Sequence, residues 1–261
     1  MRHKGRIALI TGAASGICRT TAHKFAKEGA SLVLFDLSPE VERTAADIVA
    51  AGGAARACRV DIADADAVEA AIVQAVAAVG RIDLLINGAG IVDHIAPISK
   101  MKPEKWMREI AVNLGGPFNT TRVIAPMMAE AGFGRIVNIS SVAARAGLIL
   151  QAAYAASKKG LLGLTENTTL EYARYGVTCN AVLPGLIATE KVRAMPPAIL
   201  EAATLAAPAR RVGETEEVAE LISFLCSDGA GFINGAAIDI AGGGQLNTLS
   251  LGSQKENVRR A

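Results

Sequence analysis

The chain has 261 residues, of which 51% are hydrophobic, with 26 glycines and a net charge of only +2. This composition is typical of a globular α/β protein with tight backbone turns and excludes a largely disordered chain. Because the charges are scattered along the sequence, neither nucleic acid nor an anionic membrane is expected as a partner.

The N-terminal segment MRHKGRIALITG contains an apolar run that is too short to cross a bilayer. It leads directly into a glycine-containing turn, so it predicts a first β-strand rather than a signal peptide, and we expect a cytoplasmic protein. The cysteines stand far apart without a CxxC pair, which favours buried free thiols over a disulfide framework. No spacing of metal-ligating residues indicates a metal site.

Short apolar runs then alternate with longer amphipathic stretches along the chain. Strands are predicted over residues 6–10, 31–36, 56–60, 83–87, 135–140, 177–183 and 237–241. Intervening segments such as 39–51 and 65–79 have apolar residues at helical spacing. This alternation predicts a single α/β domain: a doubly wound (Rossmann) parallel sheet of about seven strands with helices on both faces.

The predicted domain spans residues 1–245 and includes one irregular segment. Residues 186–211 contain Pro196, Pro197 and Pro208 and are predicted to form an excursion, a lid, over one edge of the site. Residues 246–261 are polar and are expected to form a C-terminal tail.

The first candidate ligand-binding motif is Thr11-Gly12-Ala13-Ala14-Ser15-Gly16-Ile17-Cys18, which follows the first strand and opens a helix. Gly12 permits a tight turn, and Gly16 lets backbone N–H groups approach a pyrophosphate at the helix N-terminus. Alone, the turn is weak evidence, because any strand-to-helix connection can require glycine.

Acidic residues end the next two strands. Asp36, about 20 residues beyond the glycine turn, can accept hydrogen bonds from both ribose hydroxyls of an adenosine. It would also repel a 2′-phosphate, and no lysine or arginine occurs in residues 12–17, so NAD is favoured over NADP. The alternative is a solvated strand-end aspartate. Asp61 and Ile62 end the third strand and are expected to flank the adenine.

Asn87-Gly88-Ala89-Gly90 follows the fourth strand. Three small residues at the carboxyl end of a strand let the backbone lie against a flat cofactor. A simple turn is the alternative, but the position favours a ligand crevice.

Tyr154 and Lys158 stand four residues apart in a predicted helix and therefore share one face. A tyrosine ordinarily has a pKa of about 10, and a neighbouring ammonium lowers it. The pair is therefore a candidate acid/base. Such pairs are common on helices, but residues 134–141 supply a strand whose end brings hydroxyls to the same cleft.

These motifs together resemble the short-chain dehydrogenase/reductase family over residues 6–243. They stand as TGAASGIC (11–18), NGAG (87–90), Asn113 in AVNLGGPF, NISS (138–141), YAASK (154–158) and NAVLPGLIAT (180–189). The resemblance implies hydride transfer between the nicotinamide of NAD and a carbinol carbon, without a metal. It also implies a homotetramer in which helices around 103–130 and 152–175 pair between subunits.

The resemblance further implies residue roles. Tyr154 would be the general acid/base, Lys158 would hold the nicotinamide ribose, and Asn113 would support a water-linked proton relay. Ser141 would bond the substrate oxygen, with Ser140 the less favoured serine. The other implied cofactor contacts are Gly12, Ser15, Gly16, Ile17, Pro184, Gly185, Ile187 and Thr189.

Three positions depart from the family pattern. Cys18 replaces the usual last glycine of the first motif, which puts cofactor affinity in question. Gly88 replaces a second asparagine, and Ile240-Ala241-Gly242-Gly243 lacks the usual acidic residue before its glycines.

Substrate contacts are expected from residues 91–97, 143–151 and the lid, which are mostly apolar. The candidate residues are His94, Ala143, Ile149 and Gln151; a surface-loop histidine is the alternative for His94. We therefore expect a small-molecule substrate, a hydrophobic or cyclic secondary alcohol or its ketone. The runner-up is a 3-oxoacyl thioester, but reductases of that class usually prefer NADPH and carry a basic residue where Ser15 stands. A catalytically idle binding subunit is disfavoured because the implied catalytic residues are intact.

Overall fold

A single parallel sheet forms the centre of the computed structural model, which describes residues 1–246; residues 247–261 of the predicted tail lie outside the described residues. Its strand order is β3-β2-β1-β4-β5-β6-β7. The strands are β1 (Ile7–Thr11), β2 (Ser31–Asp36), β3 (Ala54–Arg59), β4 (Leu84–Asn87), β5 (Gly134–Ile139), β6 (Val177–Pro184) and β7 (Ala237–Ile240). The predicted doubly wound fold is confirmed, and each predicted strand is found within two residues of its expected bounds.

Helices connect the strands and cover both faces of the sheet. They are α1 (Gly16–Lys27), α2 (Glu40–Ala50), α3 (Ala65–Val79), α4 (Pro103–Ile110), α5 (Gly116–Glu130), α6 (Ala143–Ala146), α7 (Ala152–Tyr172), α8 (Glu190–Arg193), α9 (Pro197–Ala206) and α10 (Thr215–Leu225). No helix among residues 1–246 is long and apolar enough to cross a membrane.

The two faces of the sheet have separate apolar cores because side chains alternate along each strand. Ile10 of β1 belongs to the core with Phe25 of α1 and Ile222 of α10. Its neighbour Leu9 belongs to the opposite core, with Ile72 of α3 and Ile124 of α5. Burial on both faces explains why these strands are almost continuously apolar.

The strand order places a ligand crevice at the carboxyl ends of β1 and β4. The connections from β1 run toward β2 and β3, whereas those after β4 run the other way. The loops leaving β1 and β4 therefore diverge, which opens a cleft at the topological switch point. The motifs predicted to bind cofactor follow these strands.

Candidate active site

The glycine turn after β1 packs directly against the loop after β4. Gly12 has a φ of +76°, and a Cβ there would stand 2.8 Å from Ala89 Cα. Thr11 Oγ1 accepts the N–H groups of Gly88 (3.0 Å) and Ala89 (3.2 Å). The two motifs thus form one surface, because glycine lets the backbones approach and a threonine hydroxyl ties them together.

Cys18 lies beneath this surface and fills the space that a side chain at residue 88 would occupy. A Cβ on Gly88 would stand 2.1 Å from the Cys18 sulfur. Two of the departures from the family pattern are therefore spatial neighbours, and each accommodates the other. The thiol is 4% exposed, and burial raises its pKa to about 12, so it is protonated at neutral pH.

The two predicted aspartates line the end of the cleft where the sequence predicts the adenosine. Asp36 Oδ2 accepts the N–H of Ala14 (3.0 Å) and its Oδ1 accepts that of Ser38 (2.9 Å), which fixes the carboxylate in the cavity wall. Asp61 pairs with Arg108 at 2.9 Å. Burial raises the pKa of Asp61, but the bonds from the Ala63 N–H and Arg108 outweigh it, so the pKa is below its usual value.

The same cavity contains most of the other predicted cofactor contacts, and Asn87 has a different position. The shared cavity residues are Gly12, Ser15, Gly16, Ile17, Ile62, Gly88, Ala89, Gly90 and Thr189. Asn87 is buried. Its side-chain NH2 donates to Thr121 and to Asn138 (2.9 Å), and its side-chain oxygen accepts the Thr120 hydroxyl (2.6 Å). Its side chain therefore ties β4 to β5 and α5 rather than facing the cleft.

Tyr154 and Lys158 line an adjoining cavity with Ser141, Pro184, Gly185 and Ile187. Lys158 Nζ donates to the Ile139 carbonyl at 2.8 Å and lies 5.8 Å from the Tyr154 ring centroid. Gly90 leaves this region open, since a Cβ there would stand 3.5 Å from Nζ. The helical spacing thus brings the phenol and the ammonium to one side of the cleft, as expected.

The pKa of Tyr154 is raised, whereas the sequence predicted that it would be lowered. Burial is the main cause; the Ser141 hydroxyl opposes it, and the negative charge of Glu109 adds to it. Burial also lowers the pKa of Lys158 to about 8. Helical spacing indicates only the attraction between the two groups, whereas the cost of removing both groups from water determines the direction of both pKa shifts.

The two serines after β5 have distinct environments. Ser140 is buried, and its hydroxyl donates to the Lys158 carbonyl at 2.7 Å. Ser141 lines the cavity, accepts the Ala143 N–H at 3.1 Å and lies near enough to Tyr154 for its hydroxyl to lower the pKa of the phenol. The preferred serine is therefore the one whose hydroxyl lies in the cavity beside the phenol.

Asn113 lies in a π-helical turn (Ala111–Gly115) between α4 and α5. Its side chain is fully buried and exchanges two 2.8 Å hydrogen bonds with the backbone of Ile91. Because Pro117 has no N–H, the Asn113 carbonyl cannot accept the ordinary α-helical bond from that residue. The asparagine thus anchors the loop after β4 and lies behind the cavity wall.

The start of the lid contacts the glycine turn. Glu190 Oε2 accepts the Gly16 N–H at 3.2 Å, and its other oxygen pairs with Arg19. A carboxylate therefore lies at the helix N-terminus where the sequence predicted a phosphate, and the Gly16 N–H donates to this anionic partner. Lys191, next in sequence, lines both cavities.

None of the four predicted substrate contacts is among the residues that line the cavity beside Tyr154. Ile149 is 84% exposed, Ala143 is buried at the start of α6, and Gln151 precedes α7. His94 donates its backbone N–H to Glu109, and its Nε2 is buried with no hydrogen-bond partner in the described part of the chain. The cavity beside Tyr154 is lined instead by Val92, Leu186, Lys191 and Val192, together with Ile91.

Sequence reasoning missed Glu109, a buried carboxylate four residues before Asn113. A signal existed, because residues four apart on a helix share a face. Arg108 and Glu190 were also missed, because an ion pair across a cleft depends on which loops meet.

Comparison with known proteins agrees with this geometry. A family model described as enoyl-(acyl carrier protein) reductase matches residues 12–245. The chain is 39% identical to 3-oxoacyl-(acyl-carrier-protein) reductase FabG of Thermotoga maritima, over 93% of this chain and 99% of that protein. It is 37% identical to cyclohexanol dehydrogenase of Acinetobacter sp., over 92% and 95%.

A solved structure of levodione reductase is similar to this one with a TM-score of 0.91 and 34% sequence identity. The match covers 94% of this chain and 100% of that chain. The motifs, the strand order and these similarities agree, and the chain therefore belongs to the short-chain dehydrogenase/reductase family of oxidoreductases.

Proposed function

We propose that this protein is an NAD(H)-dependent dehydrogenase that interconverts a hydrophobic or cyclic secondary alcohol and its ketone. The observation that carries the proposal is the cavity that brings Ser141, Tyr154 and Lys158 together at the end of the cleft containing Asp36. When bound, the nicotinamide ring accepts or donates the hydride.

The cleft fits a dinucleotide at three backbone positions. A Cβ at Gly12, Gly16 or Gly90 would stand 2.8, 3.1 or 3.3 Å from Ala89, Thr189 or Asn113, so glycine lets the segments that line the cleft pack closely. We expect the N-terminus of α1 to hold the pyrophosphate and Lys158 to hold the nicotinamide ribose.

Asp36 supports NAD over NADP. Its carboxylate is fixed by two backbone N–H groups and faces the cavity. The exposed residue at the N-cap of α1 is Ser15, and the nearby Arg19 is paired with Glu190. A 2′-phosphate would meet the negative charge of Asp36 there. Of the basic residues that line the same cavity, Arg108 is paired with Asp61, and Lys191 lies on the lid.

The chemistry assigned to the chain's own residues is proton transfer at the substrate oxygen. Ser141 holds that oxygen, and Tyr154 Oη takes the hydroxyl proton in oxidation or returns it in reduction. Asn113, by anchoring the π-helical turn, supports a relay of this proton to solvent. The buried Lys158 ammonium stabilises the phenolate form when the proton has left.

The substrate class is proposed from the apolar rim. Val92, Leu186 and Val192 line the cavity beside Tyr154. Leu148, Ile149 and Leu150 stand exposed at its edge. Burying an apolar ring against these apolar side chains lowers the free energy of binding, whereas a polyol offers little apolar surface to bury.

The 3-oxoacyl thioester reductase is the second candidate, since such an enzyme is 39% identical to the chain. Two of the lid arginines that would meet an acidic carrier are paired: Arg193 with Glu214 and Arg211 with Glu217. This pairing weakens the case for a carrier-docking surface.

We propose that the enzyme acts in the cytoplasm as a homotetramer.

The test is a matrix of two cofactors and three substrate classes. We expect the highest kcat/KM with NAD(H) and a cycloalkanol or cyclic ketone. Preference for a 3-oxoacyl thioester with NADPH would support the second candidate. A sugar alcohol as the best substrate would contradict both.

A further inference from the structure

Glu109 on α4 is a buried carboxylate to which the proposed reaction gives no role. Its side chain is 1% exposed, and burying a carboxylate is costly unless it is compensated. Oε1 accepts the N–H groups of Asp93 (2.6 Å) and His94 (3.0 Å), whereas Oε2 is buried and has no hydrogen-bond partner among residues 1–246. The cations nearest in sequence are engaged elsewhere, because Lys105 pairs with Asp93 and Arg108 pairs with Asp61.

The two bonds to Oε1 hold the loop 91–97, which forms one wall of the site. Val92 in this loop lines the cavity with Tyr154. At its far end, the Ala96 N–H donates to the Leu150 carbonyl at 2.9 Å and so joins the loop to the opposite rim. Leu150 itself has a φ of +64°, a conformation that leucine adopts only when neighbouring structure imposes it. Loosening Glu109 would therefore disturb both rims.

The helix that carries Glu109, α4, packs against α7, which carries Tyr154 and Lys158. The charge of Glu109 raises the pKa of Tyr154, together with burial and against the effect of the Ser141 hydroxyl. Lys158 faces Tyr154 from the same helix. Cys18 faces Lys158, but its pKa of about 12 keeps the thiol neutral in the working range.

We propose that Glu109 is a positioning residue of this active site, which fixes the loop 91–97 through Oε1 and keeps a buried negative charge beside Tyr154. This inference rests on the proposed function for the acid/base role of Tyr154. It extends that function by giving one side chain an influence on both the substrate wall and the residue that transfers the proton.

The charge has a definite consequence for the pH profile. Alcohol oxidation needs the phenolate of Tyr154, so the rate falls as the pH drops below the pKa of that residue. A negative neighbour disfavours the phenolate and moves this acid limb to higher pH. Removing the charge while keeping the hydrogen-bond acceptor must move the limb to lower pH.

Two variants separate the roles. Glu109→Gln keeps an oxygen for the two N–H groups, and we expect its acid limb to move down by roughly 0.5–1 pH unit with a nearly unchanged KM. Glu109→Ala also loses the loop anchor, and we expect an additional rise in KM of about ten-fold. Glu104→Gln is the matched control, because it removes one exposed charge from the same helix. An unmoved limb in Glu109→Gln, or a wild-type KM in Glu109→Ala, overturns the proposal.

A second measurement needs no turnover. The phenolate absorbance of Tyr154 is titrated with pH in the wild type and in Glu109→Gln. The same titration of each protein with Tyr154→Phe added gives the signal of Tyr172 and Tyr175, which is subtracted. A lower midpoint in Glu109→Gln supports the proposal, and an equal midpoint overturns it. Amide exchange at residues 93 and 94 should accelerate in Glu109→Ala; unchanged exchange counts against the loop role. If wild type oxidises no alcohol, the proposed function fails while these readouts still test Glu109.

Discussion

The cofactor side and the substrate side of the cleft are built by different means. On the cofactor side, Gly12, Thr11 and Asp36 are fixed by backbone contacts at the ends of buried strands. On the substrate side, the loop 91–97 and the lid present exposed apolar side chains such as Val92, Met195 and Ile199. The backbone geometry proposed to hold the dinucleotide is thus separated from the side chains proposed to select the substrate.

The largest effect should come from the residue at the junction of the two sides. Tyr154→Phe removes the transferable proton, so we expect kcat to fall about 10²–10⁴-fold while NAD binding stays nearly unchanged. Lys158→Ala should harm both, because it removes the proposed ribose contact as well as the ammonium. Tyr175→Phe, an exposed tyrosine, is the control. Steady-state kinetics and cofactor fluorescence measure the two quantities, and near-normal turnover of Tyr154→Phe would contradict the mechanism.

The next effect tests the cofactor side alone. Repulsion between Asp36 and a 2′-phosphate is on the order of 1–4 kcal/mol at a partly exposed site, which corresponds to roughly five-fold to nearly thousand-fold discrimination. Asp36→Ala combined with Ser15→Arg should shift kcat/KM toward NADP(H). Glu42→Gln, which removes an exposed charge from α2, is the control that distinguishes direct contact of Asp36 with the cofactor from a general effect of negative charge. If wild type uses NADP(H) equally well, Asp36 does not contact the ribose.

The pair formed by Cys18 and Gly88 tests how tightly the cofactor surface is packed. Gly88→Ala forces a Cβ toward the Cys18 sulfur and should lower the free energy of unfolding by about 1–3 kcal/mol. Cys18→Ala removes buried volume and should cost about 1 kcal/mol. In the double variant the added methyl enters the vacated space, so the loss should be smaller than for Gly88→Ala alone. Gly163→Ala, with open space around its Cβ, is the control in denaturant titrations.

These two sides also differ in how far the sequence predicted them. The strands and the glycine turn were predictable because a buried parallel strand is a continuous apolar run and its end is marked by small residues. The direction of the Asn87 side chain was not, since it depends on Thr120 and Asn138 from other elements. The same holds for Glu109, whose partners belong to a loop with no periodic pattern. The local sequence pattern therefore predicts the path of the backbone, whereas the substrate wall depends on contacts between loops that the pattern does not show.

The smallest expected effect concerns the contact that joins the two sides. Glu190 takes the Gly16 N–H and pairs with Arg19, so it competes with a pyrophosphate for both groups. The carboxylate is about half exposed, and exposed ion pairs contribute up to about 1 kcal/mol. Glu190→Gln should therefore tighten NAD binding by no more than about five-fold. Glu201→Gln, an exposed charge on α9, should leave the affinity unchanged. Because salt screens exposed charges, the gain should shrink as ionic strength rises. Fluorescence titration of NADH at low and high salt measures it, and weaker binding by Glu190→Gln would mean that the carboxylate supports the lid instead of competing with the cofactor.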